Sequence, residues 1–157
     1  MKLRRSLVAL AAALSIALMS TGGVFAAGAS DSVTQTVTVQ SYTTLTVDPA
    51  SVSFGSTLAN NVVDADSPLS ITWASNNAAG ISVDVAVTDF TSGANTIAKS
   101  NETLDTGAGY VTADGHNLAS TSGPTSGSAT AALRLNVPAV AVSGNYSSTL
   151  TVAATEN

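Results

Sequence analysis

The fold class predicted by this 157-residue sequence is all-β, an antiparallel β-sandwich of about seven to nine strands. Three observations predict it. Apolar and polar residues alternate with period two in run after run, whereas helical periodicity is absent beyond the first residues. Clusters of Gly, Ser, Asn and Asp punctuate the runs, as turns do. Val, Ile and Thr, which suit a pleated half-buried surface, dominate the runs themselves.

Taken in order, the first segment is a secretory leader over 1–26. Lys2, Arg4 and Arg5 form a cationic start, Leu7 to Met19 is apolar, and Val24-Phe25-Ala26 offers small residues at a cleavage site. The apolar run is too short and wrongly flanked for a lasting membrane span. A second cleavage site follows Ala29. The remainder, 27–157, is expected to form one β-sandwich domain with a flexible N-terminal strand over 30–40. There Val33, Val37 and Val39 alternate with Thr34, Thr36 and Thr38.

Two brief strands, Thr43 to Val47 and Val52 to Phe54, are separated by the turn dipeptide Asp48-Pro49. In the next run Leu69, Ile71 and Trp73 oppose Ser70 and Thr72, which places the lone tryptophan on the core face. Ile81, Val83, Val85 and Val87 share one face of the following run. Ala129, Ala131, Leu133, Leu135 and Val137 do the same near the end. The last run sets Tyr146, Ser148, Leu150, Val152 and Ala154 against Asn145, Ser147, Thr149, Thr151 and Ala153. Each pattern reads as one buried and one wet face. Asn60 to Pro68, Ser75 to Gly80, Ser92 to Asn95 and Ser120 to Gly127 read as loops.

Gly144-Asn145-Tyr146, a turn glycine before a tyrosine on the core face, has the pattern of a tyrosine corner in Greek-key, Ig-like sandwiches. The stretch from Leu45 to Gly55 resembles the opening of many secreted Ig-like modules. The stretch from Val137 to Val152 is similar to the closing strands of bacterial spore-coat-U-like and WxL-like surface proteins. The resemblance implies a shared sandwich architecture at both ends of the domain.

Charge and composition narrow the function. All ten acidic residues lie beyond the leader, where Lys99 and Arg134 are the only Lys or Arg. Such a chain is repelled by nucleic acid and by anionic lipid, so neither is expected as a partner. Cysteine is absent, which excludes disulfides, zinc thiolates and a thiol nucleophile together. No stable membrane span is expected once the leader is removed. The predicted location is extracellular, with cell-surface association as one form of it.

Candidate chemistry is sparse. His116 sits in the turn composition Ala113-Asp114-Gly115-His116-Asn117 with no nucleophile elbow anywhere. Asp84 and Asp89 differ in strand parity, so a paired-carboxylate hydrolase is not expected. Asp64 and Asp66 offer hard oxygens for calcium, yet an ordinary Asp-stabilised turn explains them better. Asn101 and Asn145 head N-glycosylation triplets. The Thr-rich faces lack the repeating solenoid of a flat ice-binding array. No catalytic, cofactor-binding or metal residue is assigned, no cofactor is implied, and no enzyme is expected.

The expected function is therefore that of a secreted, non-catalytic structural or interaction protein of the cell surface or extracellular matrix. Its partners would be other surface proteins or further copies of itself, joined by strand addition through residues 32–40. The alternative is a small glycan- or ligand-binding module, built on whichever of Tyr42, Phe90 and Tyr110 are exposed together.

Overall fold

The computed structural model describes residues 32–157; the expected leader, both expected cleavage sites and residues 30 and 31 lie outside the described residues. The chain is all-β. Among the described residues its eleven strands are β1 (Thr43–Asp48), β2 (Val62–Asp64), β3 (Leu69–Ser75), β4 (Ile81–Val87), β5 (Phe90–Ser92), β6 (Asn95–Ile97), β7 (Glu102–Asp105), β8 (Val111–Thr112), β9 (Asn117–Ser120), β10 (Thr125–Asn136) and β11 (Leu150–Glu156). A 3₁₀ turn, Lys99–Asn101, precedes β7. Among the described residues no helix is long and apolar enough to cross a membrane.

Two antiparallel sheets and a hairpin account for the strands. The larger sheet runs β1-β3-β10-β7-β8, with β2 also paired to β10; the smaller runs β11-β4-β9; β5 and β6 form the hairpin. The twelve-residue β10 ties the large sheet together. Its first half pairs with β3, from Thr125 opposite Ser75 to Ala131 opposite Leu69, and its second half pairs with β7 and β2.

The alternation in sequence is the alternation in burial. Leu69, Ile71 and Trp73 of β3 and Ala131, Leu133 and Leu135 of β10 are buried from the large sheet, and Ile81, Val83, Val85 and Val87 from β4. Most of these form one cluster between the two sheets, as a two-layer sandwich requires. A second cluster gathers Phe90, Ile97, Leu135 and Val137 at the hairpin. Phe90 belongs there because its ring meets Phe54 edge-on with centroids 5.9 Å apart. It is a core residue, not a surface aromatic as the sequence left open.

Two expected strands do not form. Residues 33–42 carry no strand, and Val33, Val37 and Val39 are exposed by 83, 86 and 76%. Alternation alone does not make a strand; its amides and apolar face both need a neighbour. Val52 to Phe54 carries no strand either. There the Ser53 amide donates to the Asp66 carboxylate (3.0 Å) and the Asp66 amide to the Ser53 carbonyl (2.8 Å). A side chain replaces one rung of the ladder. The Asp48-Pro49 break after β1 is present and contains a cis peptide.

Candidate functional site: a cleft at the open side of the sandwich

β1 and β11 are the edge strands of the two sheets on the same side of the sandwich, and each has one paired neighbour among the described residues. The Thr88 amide donates to the Thr149 carbonyl, and the Asn157 amide to Gly80. Those rungs turn the odd-numbered residues of β11 toward β4. The amides and carbonyls of Leu150, Val152 and Ala154 therefore point to the outer edge, because successive rungs alternate sides.

Side-chain burial agrees with an open edge. Leu45, Val47, Leu150 and Val152 face the core, yet all four are only half-buried, unlike their counterparts in β3 and β4. Between the segment 47–59 and the segment 141–152 lies a cleft of about 890 Å³. Leu69, Leu133, Leu135 and Phe90 contribute its buried floor; Ser53 and Ser143 stand at its exposed rim.

One floor residue is ionisable. Glu102, at the start of β7, is only 2% exposed, and its Oε2 is the one buried side-chain polar atom without a hydrogen-bond partner among the described residues. Burial pushes its carboxyl up to about 7 from an ordinary 4.5. The sequence offered little signal for it. Asn101-Glu102-Thr103 reads as a sequon, and only the buried Leu104 two residues on shows which face of β7 is inward.

The residues singled out from the sequence are elsewhere and occupied locally. The His116 carbonyl accepts from the Val85 amide, and no hydrogen bond reaches its imidazole among the described residues. Asp84 accepts from Asn117 and Ser82 (both 2.8 Å), which hold its carboxyl below the usual range. Asp89 accepts from the Lys99 amide. Asp64 is held by Arg134 at 2.6 and 3.2 Å, and that hydrogen bonding lowers its pKa. Asp66 faces Ser53 instead, so the two carboxylates serve different partners. Among the described residues no three His, Asp or Glu side chains gather as a metal site would need. Asn101 donates its side-chain amide to Ala98; Asn145 is exposed beside the cleft.

The exposed aromatics do not meet. Tyr42 precedes β1 at one edge of the large sheet. Tyr110 precedes β8 at the opposite edge, under the Arg134 guanidinium 3.8 Å from its ring centre.

No family model and no curated protein matches the chain. Among solved structures the chain is similar to a family 123 glycoside hydrolase from Clostridium perfringens. The identity is 15% and the TM-score 0.39, over 62% of this chain and 19% of that one. The chain thus spans about a fifth of that enzyme's length, and a likeness of this size carries no argument about activity.

Proposed function

We propose that this chain is a secreted, non-catalytic structural subunit that self-assembles by β-strand addition, residues 32–40 of one copy entering the cleft of another. One observation carries the reading: among the described residues, the same molecule holds an open β11 edge above an apolar floor and an exposed run of alternating valines. Backbone groups of Leu150, Val152 and Ala154 would bind the incoming strand, and the alternate side chains would fill the cleft. Nine extended residues span about 30 Å, longer than β11 itself.

Residues 40–42, where the inserting segment leaves its own domain, are held in place. The Asn76 side chain donates to the Gln40 carbonyl and accepts from the Tyr42 amide. That anchor lies at the Thr43 end of β1, beside Glu156, whereas the cleft opens at the Val47 and Leu150 end.

Light scattering and electron microscopy on the purified chain test the proposal. Concentration-dependent oligomers or fibres are expected, and Val37→Asp should abolish them while the thermal midpoint stays unchanged. A chain that remains monomeric at every concentration, or Val37→Asp assemblies like those of the wild type, would refute it.

A further inference from the structure

Glu102 needs an explanation that the monomer does not provide. A buried carboxylate oxygen without a donor loses its hydration and gains no hydrogen bond in return, and native folds hold few such atoms. Ordinary strand packing would place an apolar residue there, as at Leu104 two positions on. Glu102 instead lines the cleft, so whatever fills the cleft is what can supply the missing donor.

The occupant proposed above carries one. The face of residues 32–40 that holds Val33, Val37 and Val39 also holds position 35, and that residue is Gln35. An apolar stripe is thus interrupted once, by a side chain with two N–H donors. The cleft floor is interrupted once, by an acceptor with none. The opposite face, Thr34, Thr36 and Thr38, also carries donors, but presenting it would leave the valines in water and the leucine floor facing hydroxyls.

We propose that the side-chain amide of Gln35 in one copy donates a hydrogen bond to Glu102 in the cleft of the next, and that this contact sets the register of the inserted strand. The inference rests on the strand-addition reading and adds its specificity. A slip by two residues would set a valine against the carboxylate and bury the glutamine amide against leucine. A slip by one would turn the whole valine face outward. A single buried polar pair within an apolar seam is a known way to select one register at some loss of stability.

Charge exchange tests the contact. Assembly is followed by light scattering at pH 8 for the wild type, Gln35→Glu, Glu102→Gln and the double variant. Gln35→Glu brings two carboxylates together, and assembly should fall about tenfold or more; the double variant should recover it. Gln35→Leu leaves Glu102 native and so keeps the test open if Glu102→Gln does not fold. It should also weaken assembly, although it adds apolar surface to the strand. Gln35→Glu assembling within twofold of the wild type, or Gln35→Leu assembling better, would overturn the contact. Val37→Asp separates the two levels. Assembly that survives Val37→Asp refutes strand addition altogether, whereas Val37→Asp blocking it and Gln35→Glu not doing so refutes only the register contact. A monomer whose thermal midpoint falls with Gln35→Glu would mean that the strand fills its own cleft, and would refute the contact between copies.

Discussion

The indole of Trp73 lies across the backbone of Gly127, its partner on the facing strand, so closely that a Cβ at position 127 would stand 2.6 Å from Trp73 Cζ2 and 2.8 Å from Cε2. Glycine is required here by space, since the ring atoms are held in the core and cannot yield as a flexible side chain would. Gly127→Ala should destabilise the fold by about 1–3 kcal/mol, the range for overpacking. Trp73 is the lone tryptophan, so its fluorescence during urea unfolding reads the loss directly. Trp73→Phe should remove part of the clash, and the double variant, followed by circular dichroism because it lacks the tryptophan, should be more stable than the sum of the single effects predicts.

Glu102 gives the fold an acid-side stability optimum. Its carboxyl titrates at about 7 when folded and at about 4.5 in the free chain, with burial as the cause. Between those values the folded state holds more protons than the unfolded one, so stability falls as pH rises from about 4.5 to 7, then levels off. The full difference corresponds to about 3 kcal/mol. The carboxyls of Asp84, Asp105 and Asp114 are held below their usual range by hydrogen bonds from Asn117, Gly107 and Lys99 respectively. Their contribution is present above the ordinary carboxylate pKa and is lost as pH falls through their lowered values. Calorimetry should therefore find the highest thermal midpoint near pH 5. Glu102→Gln should flatten the decline between pH 5 and 7 and exceed the wild type at pH 8.

Why the core was legible in the sequence and the cleft was not follows from these residues. Ile81 to Val87 and Ala129 to Leu135 alternate cleanly because each sits in a strand with neighbours on both sides, where one face must be buried. The alternation over residues 32–40 is broken only at Gln35, yet its valines are exposed, because periodicity records a capacity to pair and says nothing about where the partner is. Phe90 was left open because its strand is three residues long, too short for a period to show. Glu102 was invisible for a different reason. Its burial arises from the long-range placement of β7 beside β10, opposite Leu135, and no local pattern around it encodes that. The pairing of Asp64 with Arg134, seventy positions apart, was equally out of reach of loop composition.

Tyr146 ties one wall of the cleft. Its hydroxyl donates to the Val142 carbonyl at 2.8 Å, and its ring packs on the cluster of Phe90 and Val137. The sequence expectation of a tyrosine that packs inward and fastens nearby backbone is met in this contact. Tyr146→Phe keeps the ring and removes the bond, so a loss of about 1 kcal/mol is expected. The Val142 side of the loop is exposed, and its carbonyl can turn to water, which keeps the loss modest. Hydrogen exchange should quicken at Ala141 to Gly144 while β10 keeps its protection. Equal loosening of β10 would mean that the tether supports the core and not the cleft wall alone.

The Asp64-Arg134 pair decides what the Asp64 to Asp66 loop can bind. Calcium needs several oxygens converging on one point. Asp64 instead presents both carboxylate oxygens to the guanidinium, which also lies over Tyr110, and Asp66 accepts from the Ser53 amide. Gathering the two carboxylates around a cation would break both arrangements. Millimolar calcium should therefore leave the thermal midpoint of the wild type unchanged. Arg134→Ala should lower the midpoint by a few degrees at most, since the pair is exposed and water competes with it. The decrease should shrink further at high salt. A calcium-dependent rise in the wild type would show that the carboxylates leave Arg134 and Ser53 for the ion, and would reverse this assignment of the loop. The same rise in Arg134→Ala alone would show that the guanidinium is what keeps calcium out.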